Sequence, residues 1–133
     1  MAHEAAVHRV DAAQAVGERW RVDPEPAADG VAEALELWLG TRLGSDVGGS
    51  GRTVRLMSRT ETSGVVVDWT VRPLKSIVEF GAGPANVDVT VTGTAAALWA
   101  WTWGRPDPDH PIDTVGDEEA ADELRGLLSR AQQ

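Results

Sequence analysis

Apolar positions along this chain change period twice. Between 31 and 38 they recur every three to four residues, with Val31, Ala34, Leu35 and Trp38 on one stripe. That spacing predicts a helix from about Pro24 or Val31 to about Arg42. From 53 to 92 the period becomes two. In "GVVVDWTV" Val65, Val67, Trp69 and Val71 alternate with Val66, Asp68, Thr70 and Arg72. In "NVDVTVT" Val87, Val89 and Val91 alternate with Asp88, Thr90 and Thr92. With "TVRLMS" and "SIVEF" these stretches predict four strands, each with one wet face. The helical period returns in "TGTAAALWAWTWGRP" and in "GDEEAADELRGLLSRAQQ", where Leu124, Leu127 and Leu128 form the stripe. Between those two helices "PIDTV" reads as a short fifth strand.

Boundary residues sharpen these elements. Residues 2–16 are rich in Ala and free of Pro and Gly, which predicts an N-terminal helix stopped at Gly17. Asp23 is placed to cap the second helix, with Pro24 in its first turn. Thr94 caps the Trp-rich helix and Gly104 ends it. Asp117 caps the last helix, with Glu118 and Glu119 at its positive end. The linkers "RTETS", "RPLK" and "GAGPA" are short, which favours antiparallel neighbours and hence a four-stranded meander. "GSDVGGSG" reads as a flexible loop. The expected fold is α+β: an antiparallel four- to five-stranded sheet, helices packed on one face, and a helix in front.

Composition narrows the function classes. A chain of 133 residues is one domain by size. It has no cysteine, which excludes disulfides and thiolate chemistry of its own. A net charge of −9 argues against nucleic acid and against anionic membrane surfaces. No apolar run approaches the ~20 residues of a membrane span, and the N-terminus lacks a secretory pattern, so a cytoplasmic protein is expected. High Ala, Val, Arg, Asp and Gly with a single Lys suggests a high-GC bacterial coding sequence. No phosphate loop, nucleophile elbow or Ser/His/Asp arrangement occurs, and "GAGPAN" is only a turn.

Three constellations carry candidate chemistry. In "HEAAVHRVDA" Glu4, His8 and Asp11 stand four and then three residues apart on one helix. A carboxylate and an imidazole four apart converge on one point and suit zinc. At least one further ligand must come from another element: His3 lies on a different azimuth, and His110 sits on a Pro-rich connection. The bland alternative is a weak surface pair worth about 0.3–0.5 kcal/mol. Arg105, directly after "WTWG", either satisfies helix carbonyls and pairs with Asp107 and Asp109, or clamps a substrate carboxylate with its planar fork. On the Trp helix, Trp99 and Trp103 share a face while Trp101 and Leu98 face the other way. Both sides then need covering, one by the sheet and the other by a helix, a partner or an apolar ligand.

Taken in order, "HEAAVHRVDAAQAVG", "DPEPAADGVAEALELWL", "VDVTVTGTAAALWAWTWGR" and "IDTVGDEEAADEL" resemble the mycothiol-dependent maleylpyruvate isomerase family of actinobacteria. The most specific elements are E-x-x-x-H-R-x-D-A, D-P-x-x-A-x-D-G, and W-G-R followed by a later G-D. Proteins of that family join a DinB-like four-helix metal domain to an α+β domain similar to sterol carrier proteins. The resemblance implies that residues 1–20 are the last helix of the metal domain and 21–133 the sterol-carrier-like domain. Glu4 and His8 match two metal ligands, with a further His supplied by an earlier helix that a chain starting at Met1 lacks. Arg105 matches the W-G-R arginine, implied to contribute to substrate binding.

The expected function is therefore a standalone or truncated accessory or binding domain, not catalytic alone. Its implied partners are a separate four-helix metal domain or further copies of itself, and a small molecule. Its implied cofactors are zinc or another divalent metal, held in an incomplete site, and mycothiol. One alternative is a metal- and mycothiol-dependent cis–trans isomerase or thiol transferase completed by another chain. There a metal-activated thiolate adds to a cis-alkene, rotation follows, and elimination gives the trans product, with Arg105 holding a carboxylate. A second alternative is a carrier of small hydrophobic ligands in the space between sheet and Trp helix.

Overall fold

A computed structural model of the chain describes residues 2–15, 21–59, 64–81, 86–105 and 108–133, with backbone alone at 2–6, 10 and 14. Helix α1 spans Ala2–Ala15; its expected stop at Gly17 lies outside the described residues. Helix α2 spans Pro24–Ala32, with Asp23 extended at its N-cap and Pro24 in its first turn. The Asp23 side chain makes no capping hydrogen bond and instead lies 3.4 Å from the Arg21 guanidinium.

The regular helix predicted as far as Arg42 is corrected in its second half. Glu33–Leu39 is π-helical, followed by the single turn α3, Gly40–Arg42. The Gly40 N–H donates to the Leu35 carbonyl five residues back, the bonding that widens a π turn. Val31, Ala34, Leu35 and Leu39 are all buried, while Trp38 is half-buried on the flank. Its ring meets Trp103 edge-on at 6.0 Å, and the Arg42 guanidinium lies over it at 4.8 Å.

Five strands form one sheet: β1 Val54–Ser58, β2 Asp68–Pro73, β3 Val78–Gly81, β4 Val89–Gly93 and β5 Asp113–Gly116. "PIDTV" does contribute the fifth strand. The order β3-β2-β1-β4-β5 corrects the meander, because β4 does not follow β3 but pairs parallel with β1. The other three pairings are antiparallel.

Register shows why a short connection suffices. Gly81 at the end of β3 is level with Thr70, which is level with Arg55; Val89 at the start of β4 is level with Val54. The start of β4 therefore lies three strand spacings, about 14 Å, to the side of the end of β3. Residues 82–88 can span about 24 Å. Thr53 and Asp88 lock the arrival: the Thr53 N–H donates to Asp88 Oδ2 at 2.7 Å, and the Asp88 N–H donates to the Thr53 carbonyl at 2.9 Å.

The remaining helices are α4, Ala95–Thr102, and α5, Glu118–Ala131. Both start as their caps predict. Thr94 Oγ1 accepts from the Ala97 N–H at 3.1 Å, and Asp117 Oδ1 accepts from the Glu119 N–H at 3.0 Å. Val54, Leu56, Val71, Val89 and Val91 turn one sheet face toward α4 and α5 and are fully buried. Leu98, Trp99, Leu124 and Leu128 fill the layer above them. The other side of α4 is covered by α2, where Trp103 Nε1 donates to the Gly30 carbonyl at 3.0 Å. Among the described residues no helix is long and apolar enough to cross a membrane.

Candidate functional site

The W-G-R segment forms a complete helix-ending motif. Gly104 takes a φ of +71°, a left-handed conformation that suits glycine. Its N–H donates to the Trp101 carbonyl at 3.3 Å, and the Arg105 N–H donates to the Ala100 carbonyl at 2.7 Å. These are the paired bonds of a Schellman turn, which satisfies the last carbonyls of α4 and reverses the chain. Arg105 is therefore held at the helix end by backbone geometry before its side chain makes any contact.

The guanidinium then reaches three acceptors. Nη1 donates to the Trp103 carbonyl at 2.7 Å, as one sequence reading expected. Nε and Nη2 make a two-pronged ion pair with Asp11 of α1, the Nη2–Oδ2 distance being 3.0 Å. Asp11 is thus a carboxylate on Arg105 that was not named for it from sequence; of the local acids that were, Asp107 lies outside the described residues. Both side chains are part-exposed, 32% for Arg105 and 42% for Asp11.

Asp11 is held below its ordinary pKa of 3.8, first by the hydrogen bond from Arg105, with the charges of Arg105 and His8 adding and partial burial opposing. The same hydrogen bond makes Arg105 hold its proton more firmly than usual. At neutral pH the pair is fully ionised. A carboxylate from outside would have to displace Asp11 to use the same prongs, so in this conformation Arg105 positions α1.

His8, three residues before Asp11, is exposed. Glu4 lies one turn earlier on the same helix, and its side chain is outside the described residues. His110 is half-buried ahead of β5. Among the described residues no three His, Cys, Asp or Glu side chains gather as they would around a metal ion. Towards a cation this junction offers the His8 imidazole, whereas the Asp11 oxygens are committed to Arg105.

One further residue, Arg125, was not singled out from sequence. Arg125 of α5 is half-buried, and its Nη1 is buried without a hydrogen-bond partner. Its Nη2 lies against Gly104, where a Cβ would stand only 2.4 Å away. In the sequence Arg125 reads as an ordinary charge on an amphipathic helix, and nothing local marks it out.

Comparisons with known proteins agree with this architecture. The model of the MDMPI C-terminal domain, the C-terminal domain of maleylpyruvate isomerase, matches residues 25–123. No curated protein matches the sequence. The chain is similar to sterol carrier protein 2 from Yarrowia lipolytica in its apo form, with 15% identity, 85% of this chain and 97% of that one covered, and a TM-score of 0.54. It is also similar to a UbiJ-SCP2 ubiquinone synthesis protein, with 15% identity, 80% and 96% covered, and a TM-score of 0.50. At that identity the likeness shows the fold alone. With the family match running from α2 through the sheet and α4 into α5, the chain belongs to the MDMPI C-terminal domain family.

Proposed function

We propose that this chain is an accessory domain of its family, without catalytic activity by itself, that presents the junction of α1 with the end of α4 to a separate four-helix metal domain. Glu4 and His8 would give two donors to a divalent cation, zinc first among the candidates, and the partner would give the rest. A cation held there supplies a lowered pKa for a thiol such as that of mycothiol.

The observation that carries this reading is the Asp11–Arg105 pair, which holds α1 on the layered domain with His8 exposed beside it. Asp11 neutralises Arg105 and so removes much of the repulsion that a bare guanidinium would exert on a cation at His8. The carrier alternative receives less support. Leu56, Val91, Leu98 and Trp99 have no more than 0% exposure and occupy the layer between sheet and Trp helix where a ligand was expected.

Turnover of maleylpyruvate with mycothiol and zinc tests the proposal. The chain alone is expected to give no turnover above the uncatalysed rate, and mixing it with a four-helix metal domain of the family is expected to change that domain's activity. Turnover by the lone chain would overturn the accessory role and establish the enzyme reading in its place.

A further inference from the structure

We propose that Arg125, rather than Arg105, is the anion-binding cation at this end of the molecule, and that it takes a small carboxylate. Two arginines from different helices converge on the Schellman turn at Gly104. Arg105 is satisfied there, with Asp11 on two prongs and the Trp103 carbonyl on the third. Arg125 is not. Its Nη1 is buried with no hydrogen-bond partner, and its Nη2 occupies the space that the missing Cβ of Gly104 leaves open.

A desolvated guanidinium N–H without an acceptor is unfavourable, and a neighbouring positive charge makes it more so. Burial, and secondarily the charge of Arg105, hold Arg125 below its ordinary proton affinity. Both effects are relieved by one anion. The planar fork selects a carboxylate, which accepts two parallel N–H bonds. Because Asp11 already balances Arg105, the site has one positive charge to match, so a single carboxylate group is the fitting ligand. This inference needs neither the metal nor the partner domain, and it stands or falls separately from them.

The test titrates acetate, a monocarboxylate, into the isotope-labelled full chain at constant ionic strength and follows the arginine side-chain Nε–Hε resonances. Arg125 is expected to shift saturably with an affinity of about millimolar, while Arg105 stays in place. Arg125→Gln is expected to weaken binding by at least about tenfold. Arg125→Lys, which keeps the charge without the fork, is expected to fall between the two. The wild-type resonance gives a result even if a variant fails to fold. Absence of a saturable Arg125 shift, a response that follows Arg105 and survives Arg125→Gln, or equal binding of sulfate would overturn the proposal.

Discussion

Arg105 and Asp11 are 94 residues apart in the chain, and their pairing is the main described polar contact between the N-terminal helix and the rest of the molecule. Part-exposed ion pairs of this kind contribute about 0.5–1 kcal/mol. Asp11→Asn is therefore expected to lower stability by about that amount at pH 7 in urea titrations. The sign with pH follows from the depressed pKa of Asp11. Its contribution is present above the ordinary value of 3.8 and is lost as pH falls through the lower folded-state value. The difference between wild type and Asp11→Asn should then vanish in strong acid, and a difference that persisted there would assign the effect to packing.

Gly104→Ala is expected to cost about 1 kcal/mol, read as a lowered urea midpoint, because alanine is strained at a φ of +71°. The close approach to Arg125 adds little, since the contact is with the far end of a flexible side chain. At this scale the sequence held the residues but not their partners. Gly104 as a terminator and Arg105 on a helix carbonyl were legible from local rules. Asp11 was not legible as a partner of Arg105 because local pairing is all that a sequence displays, and Arg125 gave no local signal at all.

Among the described residues, few contacts hold α1. Its described contacts are Val7, 9% exposed, Ala13 packed on the core, the bond from Arg9 to the Arg21 carbonyl at 3.1 Å, and the Asp11 pair. One buried valine contributes about 1.5–2 kcal/mol, so these contacts together amount to a few kcal/mol. Amides of α1 are expected to exchange with solvent orders of magnitude faster than those of α4 and α5, and a version lacking residues 1–20 should still unfold cooperatively. Protection of α1 equal to that of α4 would contradict this. Within α4, Thr94→Ala is expected to cost about 1 kcal/mol through loss of the bond to the Ala97 N–H, measured by denaturant titration.

The caps at Thr94 and Asp117, most strand stretches and the Leu124 stripe were readable because each depends on residues near in sequence, whereas Asp23 makes no capping bond and residues 64–67 of the second stretch lie ahead of β2. The order of strands was not. Short linkers favour neighbouring antiparallel strands, yet β3 stops level with the start of β4, so a sideways step reaches the far side of β1. Nothing in the linker encodes that level; it is set by the registers of β2 and β3. The π-helical widening of Glu33–Leu39 was equally invisible, because its hydrophobic stripe fits an α-helix as well.

For the whole molecule, a five-stranded sheet under α2, α4 and α5 provides the rigid body on which α1 and the two arginines are arranged. The α+β class and the family were legible from the order of motifs, whereas the state of the site was not, since it depends on which helix ends meet. In the proposed function Glu4 and His8 would give a cation two donors, and a second polypeptide would give the rest. Zinc titrated calorimetrically into the purified chain, first alone and then mixed with a four-helix metal domain, tests this most directly. The lone chain should bind zinc more weakly than about micromolar, and the mixture should bind it more tightly, with the gain lost in His8→Ala. Tight, stoichiometric zinc on the lone chain, abolished by His8→Ala, would contradict the shared site.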